Sequence, residues 1–389
     1  MIRAGRTVFA IALVAQAMTS CGGSSHVTTD GATVPSAPRV RGELSRPVLV
    51  TSFSADYNEP QGLVSDHSGG VWFWSSTSAE ASLYRWGVNG SLLDSVTIGT
   101  EPLDILPQGF VQLAVSLDGT VFAAYNRSIL EYDPKSKTLV RHSIPVSSIN
   151  KMSEENLPAS IKGIYPATAV AVDPTSRYVA VALEHTSEVQ VLDRESGTFD
   201  GFSLAANESA ASLAYWHDSR LAVGVTDFAT GLSEKLEMRA STGELLASAV
   251  VRDASFITNS RGVMAVGRSQ IDVVAPDPGP RLPVAPVSGP QFHAARGRTI
   301  VAVDSSGAVI ALTRTGIGVM SQNSDPPQLF ATYNVMECAT GFGPTSVPSS
   351  EPAGPCYEIP LEVIVSGVGD VIWYTMSSNE GYSLYRISQ

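Results

Sequence analysis

The sequence predicts an all-β fold built from a recurring unit of four short strands. Three observations predict it. First, Gly70–Trp86 (GVWFWSSTSAEASLYRW) returns near the other end of the chain as Val371–Ile387 (VIWYTMSSNEGYSLYRI). Both copies carry Ser-Leu-Tyr-Arg, and both place a Trp, Trp72 or Trp373, at the same distance before it. A match held in constant register marks a repeat architecture whose ends can meet. Second, apolar runs rich in Val, Leu, Ala and Tyr, bounded by Gly, Asp, Asn and Ser, recur with a period of roughly 40–55 residues. Third, beyond the N-terminal segment no apolar run keeps a helical period; only Ser153–Lys162 allows a short helix.

The units follow one another in order. Pro60–Ile98 carries GLVSD, VWFWS, SLYRW and LLDSVTI, and Phe110–Pro145 carries VQLAVS, TVFAAY, SILEYD and TLVRHSI. Pro166–Leu204 carries ATAVAVD, YVAVAL, EVQVLD and TFDGFSL, and Ser209–Val251 carries ASLAYW, RLAVGV, KLEMRA and ELLASAV. Weaker copies span Ala254–Val287 and Gly289–Tyr333, and the last is Leu361–Ile387. Continuous apolar strands beside alternating ones suit stacked four-stranded sheets, with the inner strand buried on both faces and the outer strand wetter. Radial stacking of such sheets is a β-propeller, here of seven blades, or six if the Ala254–Val287 unit merges with its neighbour. The last unit lacks a fourth strand, and Pro47–Phe53 (PVLVTSF) precedes the first unassigned. Val48–Phe53 is therefore expected to supply the outer strand of the last blade and close the ring, burying edges that would otherwise pair with other chains.

Two resemblances accompany this pattern. Pro60-x-Gly62-Leu63-x-x-Asp66 followed by Gly69-x-Val71-Trp72-Phe73 resembles blades of the streptogramin-lyase-like and NHL propellers, and Pro166–Phe199 resembles a blade of the YVTN and lactonase-like propellers. They imply the fold and carry little about function.

Length and composition agree with a large repeat domain: 389 residues, 43% apolar and 16% charged, can fill an extended core and are too apolar for disorder. The net charge of −12 argues against a nucleic-acid partner, which needs a basic face. At the N-terminus, Arg3 and Arg6 precede the apolar run Val8–Ala17, too short to span a bilayer and arranged as a secretory signal. Met18-Thr19-Ser20-Cys21-Gly22 resembles the lipobox of bacterial lipoproteins, which implies cleavage before Cys21 and acylation of that residue. The expected organisation is a signal peptide over 1–20, the lipidated Cys and a Gly/Ser/Thr/Pro-rich tether over 21–46, and the propeller over 47–389. In an oxidising compartment Cys338 and Cys356, separated by a Pro/Gly/Ser-rich stretch, are expected to form one disulfide.

Motifs for chemistry are sparse. There is no Gly-x-Ser-x-Gly and no His-Glu-x-x-His. Streptogramin lyases use two His and a Glu close in sequence; His293 is followed by neither before Glu337, so the resemblance does not carry that activity over. The funnel mouth is expected to form from residues entering inner strands and from loops between second and third strands. These are Asn58, Glu59, Gln61, Tyr125, Asn126, Glu184, His185, Glu208, Asp227, Gln291, His293 and Asp304. Trp72, Trp74 and Trp373 fall on second strands and are expected to pack between blades. Val146–Tyr165 and Asn334–Pro360 are long enough to be recognition loops. The expected function is binding or scaffolding at the cell envelope by a monomeric, membrane-anchored chain without a cofactor, its ligand an envelope protein or a small molecule. The alternative is an envelope lactonase or hydrolase holding a divalent cation such as Ca2+ in the funnel, which is what the lactonase-like resemblance implies.

Overall fold

In a computed structural model the chain divides into two units, Met1–Pro35 and Ser36–Gln389. The structure describes strands between Val48 and Ile387. It describes side chains over 62–66, 68–75, 80–87, 89–99, 111–125, 127–146, 167–184, 186–215, 218–227 and 235–248, and at Val50, Leu384 and Arg386.

Strand β1 (Val48–Phe53) comes first. Four sheets of four antiparallel strands then follow in chain order. The first holds β2 (Gln61–Ser65), β3 (Val71–Ser76), β4 (Ala81–Trp86) and β5 (Leu92–Gly99). The second holds β6 (Gln112–Val115), β7 (Val121–Tyr125), β8 (Ser128–Asp133) and β9 (Thr138–Ser143). The third holds β10 (Ala167–Val172), β11 (Tyr178–Leu183), β12 (Glu188–Asp193) and β13 (Thr198–Ser203). The fourth holds β14 (Glu208–Tyr215), β15 (Leu221–Asp227), β16 (Ser233–Arg239) and β17 (Leu245–Val250). Two more four-stranded sheets begin at Ala254 and Val301, with a two-stranded ribbon, Ala294–Ala295 and Arg298–Thr299, between them.

The last sheet joins the two ends of the chain. Glu358–Val365, Val371–Ser377 and Gly381–Ile387 pair in order, and β1 adds as the fourth strand, in register from Val48↔Arg386 to Phe53↔Tyr382. The outer strand expected from Val48–Phe53 is thus in place. Each sheet's inner strand lies beside that of the next, and β2 lies beside Glu358–Val365, so the circuit closes.

Interlocking side chains fill the gaps between sheets. Trp72, Trp74 and Leu83 of the first sheet pack on Val121, Ala123, Leu130 and Tyr132 of the second. Phe122, Ala124 and Ile129 pack on Val179, Val181, Leu183 and Leu192 of the third. Ala180, Ala182 and Val189 then pack on Leu221, Val223 and Val225 of the fourth. Trp72 meets Tyr132 edge-on at 5.8 Å between ring centroids, and Trp74 lies 5.4 Å from Tyr125. The tryptophans of β3 are therefore packing residues, as expected. Tyr125 is a correction: it is buried against Trp74 and does not line a funnel. Burial along the strands is a second correction. The second strands β7 and β11 are buried almost throughout, whereas β6 is half-buried and β10 alternates. A second strand has bonded neighbours on both sides, while an inner strand is the edge of its sheet.

At Gly90, φ is +82°, and a Cβ there would collide with the Val50 carbonyl oxygen. Val50 in turn packs with Leu63, Val71, Phe73, Tyr84 and Trp86 of the first sheet and Leu384 of the last. The closing strand is clasped from both sides. Deleting Pro47–Ser54 should abolish the cooperative thermal transition or cause aggregation, because the edge of Gly381–Ile387 becomes free and the first sheet loses Val50; a truncated chain that melts at the wild-type temperature would contradict ring closure through β1.

Candidate functional site

Strands alternate direction within each sheet, so the first-to-second and third-to-fourth strand turns fall at one end, the turn end, and the second-to-third strand turns and the blade-to-blade connections fall at the other, the connection end. At the connection end Gln61 opens β2, Glu184 follows β11, Glu208 opens β14 and Asp227 closes β15. Glu208 and Asp227 are direct cross-strand partners. Of the expected funnel-mouth residues, these are the two the structure brings together. Asn58, Glu59, Asn126, His185, Gln291, His293 and Asp304 lie outside the described residues, as do Cys21, Cys338 and Cys356.

Around that pair the fourth sheet assembles a charged ladder. The Lys235 ammonium sits 2.8 Å from Glu208 Oε1 and 2.8 Å from Glu237 Oε1. Arg239 donates to Glu237 Oε2 through Nη2 at 2.6 Å and Nε at 2.9 Å, and through Nη1 to the Gly243 carbonyl at 2.7 Å. The Asn207 amide donates to Asp227 Oδ2 at 2.7 Å. Lys235, Glu237 and Arg239 alternate along β16 and pair across to Val225, Val223 and Leu221, which face the third sheet. The charges are therefore between blades, and Glu237 is only 3% exposed. Arg239 also lies 4.3 Å over the Phe202 ring of the third sheet. Burial alone would raise the Glu237 carboxyl, but the bonds from Lys235 and Arg239 outweigh it and hold the group below its ordinary range. Both oxygens are engaged and the group is ionised, which suits fastening and not proton transfer.

The turn end repeats this use of charge. Asp66 Oδ1 accepts from the Ser68 and Gly70 amides at 2.8 and 2.7 Å, and Arg85 Nε donates to Oδ2 at 2.6 Å. Asp173 Oδ1 accepts from the Arg177 and Tyr178 amides, both at 2.7 Å, and Ser219 of the fourth sheet reaches Oδ2 at 3.3 Å. Arg194 of the third sheet clips the second: it donates to Glu131 Oε1 at 2.7 Å and Asp118 Oδ2 at 3.2 Å, and its guanidinium covers Phe122 at 5.0 Å. The other Glu131 oxygen meets His142 Nε2 at 3.0 Å. Burial raises Asp118, yet hydrogen bonds from Ser116, Thr120 and Arg194 prevail and bring it to about 2. Among the described residues no three His, Cys, Asp or Glu side chains converge as a metal site.

No protein-family model matches the chain, and no curated protein matches its sequence. Solved structures do. A catalytically inactive virginiamycin B lyase from Staphylococcus aureus, solved with quinupristin, aligns at TM-score 0.58 and 10% identity over 89% of this chain and 100% of that one. The Pan2 WD40 domain of Neurospora crassa aligns at 0.57 and 11% over 90% and 97%. A chain of the mitotic checkpoint complex aligns at 0.51 and 14% over 93% and 100%. The chain folds as a β-propeller. Identities this low establish shape alone, and one shape serves proteins as unlike as these three.

Three variants test the ladder and the clip. Glu237→Gln should cost about 3–5 kcal/mol of stability, since it leaves the buried Arg239 guanidinium without its carboxylate while Lys235 keeps Glu208; replacing Lys235, Glu237 and Arg239 together by Met should cost far less, and equal losses in denaturant melts would contradict the assignment. For the clip, Asp118 titrates lower in the folded chain than its ordinary 3.8. Its contribution is therefore full above about pH 4 and is lost as pH falls toward 2. The stability gap between wild type and Arg194→Met should narrow over that interval; a constant gap would show that Arg194 does not act through Asp118.

Proposed function

We propose that the chain is an extracytoplasmic lipoprotein, held by acyl groups on Cys21, whose propeller binds an envelope protein or a small molecule as a scaffold. The state of the carboxylates carries the binding part of this reading. Wherever a described carboxylate is displaced from its ordinary titration, as at Asp66, Asp118, Glu131, Asp193 and Glu237, the displacement is downward. A catalytic carboxylic acid working near neutral pH is tuned upward instead. Here the acids are committed to hydrogen bonds and ion pairs, and three of them join one blade to the next or brace the residue that does. The product is a stiff ring presenting connections at one end, which suits recognition. The likeness to a chain of a multiprotein checkpoint assembly supports a protein as the partner class.

Mass spectrometry of the mature N-terminus should find acylated Cys21, and Cys21→Ser should abolish both the modification and membrane retention; an unmodified, internal Cys21 in the mature chain would refute the anchor. Treatment with a chelator should leave the melting temperature unchanged. A drop of more than about 3 °C, or one divalent ion per chain by elemental analysis, would favour a metal-dependent hydrolase, because a ligand bound to the native state raises its stability.

A further inference from the structure

Five leucines of the described sheets are half exposed, and all five sit at the turn end. Leu92 and Leu93 open β5 after the Gly87–Ser91 turn, Leu245 and Leu246 open β17 after the Ala240–Glu244 turn, and Leu117 lies in the Ser116–Thr120 turn. Four of them are 49% exposed and Leu246 is 50%; Val140, within β9, is the other large apolar side chain exposed among the described residues. At each Leu-Leu pair a β-bulge sets two leucines opposite one residue of the neighbouring strand, Leu92 and Leu93 at Trp86 and Leu245 and Leu246 at Arg239. The bulge interrupts the alternation of faces, and both side chains stay open on an outer strand, a liability that proteins otherwise blunt with charge or cover.

The turn end is one continuous feature of the first four blades. Lys137 to Asp94, Arg194 to Asp118 and Ser219 to Asp173 each join a turn region of one blade to the blade before it. The chain also enters the ring there. Strand β1 begins at Val48, opposite Arg386 near the finish of the last strand, and Val50 lies against Gly90 in the same turn that leads to Leu92.

We propose that the turn end rests on a lipid bilayer, with Leu92, Leu93, Leu117, Leu245 and Leu246 seated at the headgroup–acyl boundary. The inference builds on the anchor reading given above. About 26 residues separate Cys21 from β1, and a flexible chain of that length has a root-mean-square span of about 25–30 Å, so an anchor at Cys21 keeps the entry point of β1 close to the membrane. Lys137, Arg177 and Arg220 at this end are matched by Asp94, by Asp193 and Glu195, and by Asp218. Contact is accordingly apolar in origin and insensitive to salt. The opposite end, with Gln61, Glu184, Glu208 and Asp227, then points away from the bilayer toward the partner.

The test separates this from acylation. A full-length Cys21→Ser chain with an N-terminal hexahistidine tag is held on phosphatidylcholine vesicles by a nickel-chelating lipid, whatever the fate of Cys21. A fluorophore is attached through an azide-bearing amino acid at position 92, 245 or, at the connection end, 206. Quenching by doxyl-labelled lipid should be at least about threefold stronger at 92 and 245 than at 206 and unchanged in 0.5 M salt. The fourfold variant Leu92→Ser, Leu93→Ser, Leu245→Ser, Leu246→Ser, labelled at 117, should lose that quenching while keeping the wild-type melting temperature. Equal quenching at the two ends, or stronger quenching at 206, overturns the proposal, including the case in which a protein covers these leucines. Flotation of untagged wild-type chain against Cys21→Ser reports on the anchor independently.

Discussion

Pairing between β1 and Gly381–Ile387 is the constraint on which the ring depends. Each sheet has an inner and an outer edge, and each buries its faces against the sheets on either side. A row of such sheets would leave two terminal faces in water. Curving the row until the first sheet meets the last removes both, and fastening that seam with a strand from the other end of the chain makes closure part of a sheet's own backbone hydrogen bonding. Packing at the seam then follows: Val50, Leu63, Phe73 and Leu384 share one apolar cluster across it.

Elsewhere the blades are joined by charge as well as by apolar surface. Buried ion pairs are weak stabilisers compared with apolar packing of the same volume, but they are demanding about geometry. Arg194 meets Asp118, Glu131 and the face of Phe122 in one placement of the two blades, and Arg239 meets Glu237, the Gly243 carbonyl and Phe202 in another. Small residues on the facing strands, such as Ala180, Ala182 and Ala210, could slide past one another with little loss. The charged contacts fix how neighbouring blades are set, which a propeller needs if connections from several blades are to present one surface.

Much of the architecture was legible in the residues. Strand units bounded by Gly, Asp and Ser, the displaced fourth strand at Val48–Phe53 and the packing role of Trp72 and Trp74 all follow from short-range pattern. The ladder on β16 did not. Lys235-Leu236-Glu237-Met238-Arg239 reads as a strand with one wet face, because alternation reports two faces without saying what lies against either. Both faces are covered, since each blade is sandwiched. Arg194 and Asp118 are 76 residues apart and have no shared motif; only the stacking of blades brings them together. Tyr125 misled for a related reason: its place at the end of a second strand suggested the funnel, and its ring turned sideways onto Trp74.

The seam also sets a timetable. Val48 and Arg386 are separated by roughly 340 residues, so β1 leaves the ribosome long before the strand it pairs with. At about 5–20 residues per second that interval is on the order of 20–70 s. Throughout it β1 (VLVTSF) is an unpaired apolar strand, and every blade formed in the meantime stacks on a row still open at both ends. A ring that closes only when Gly381–Ile387 has been made is safest if a chaperone shields β1 until then. Closure thus gives the native ring its integrity and makes the unfinished chain the vulnerable species.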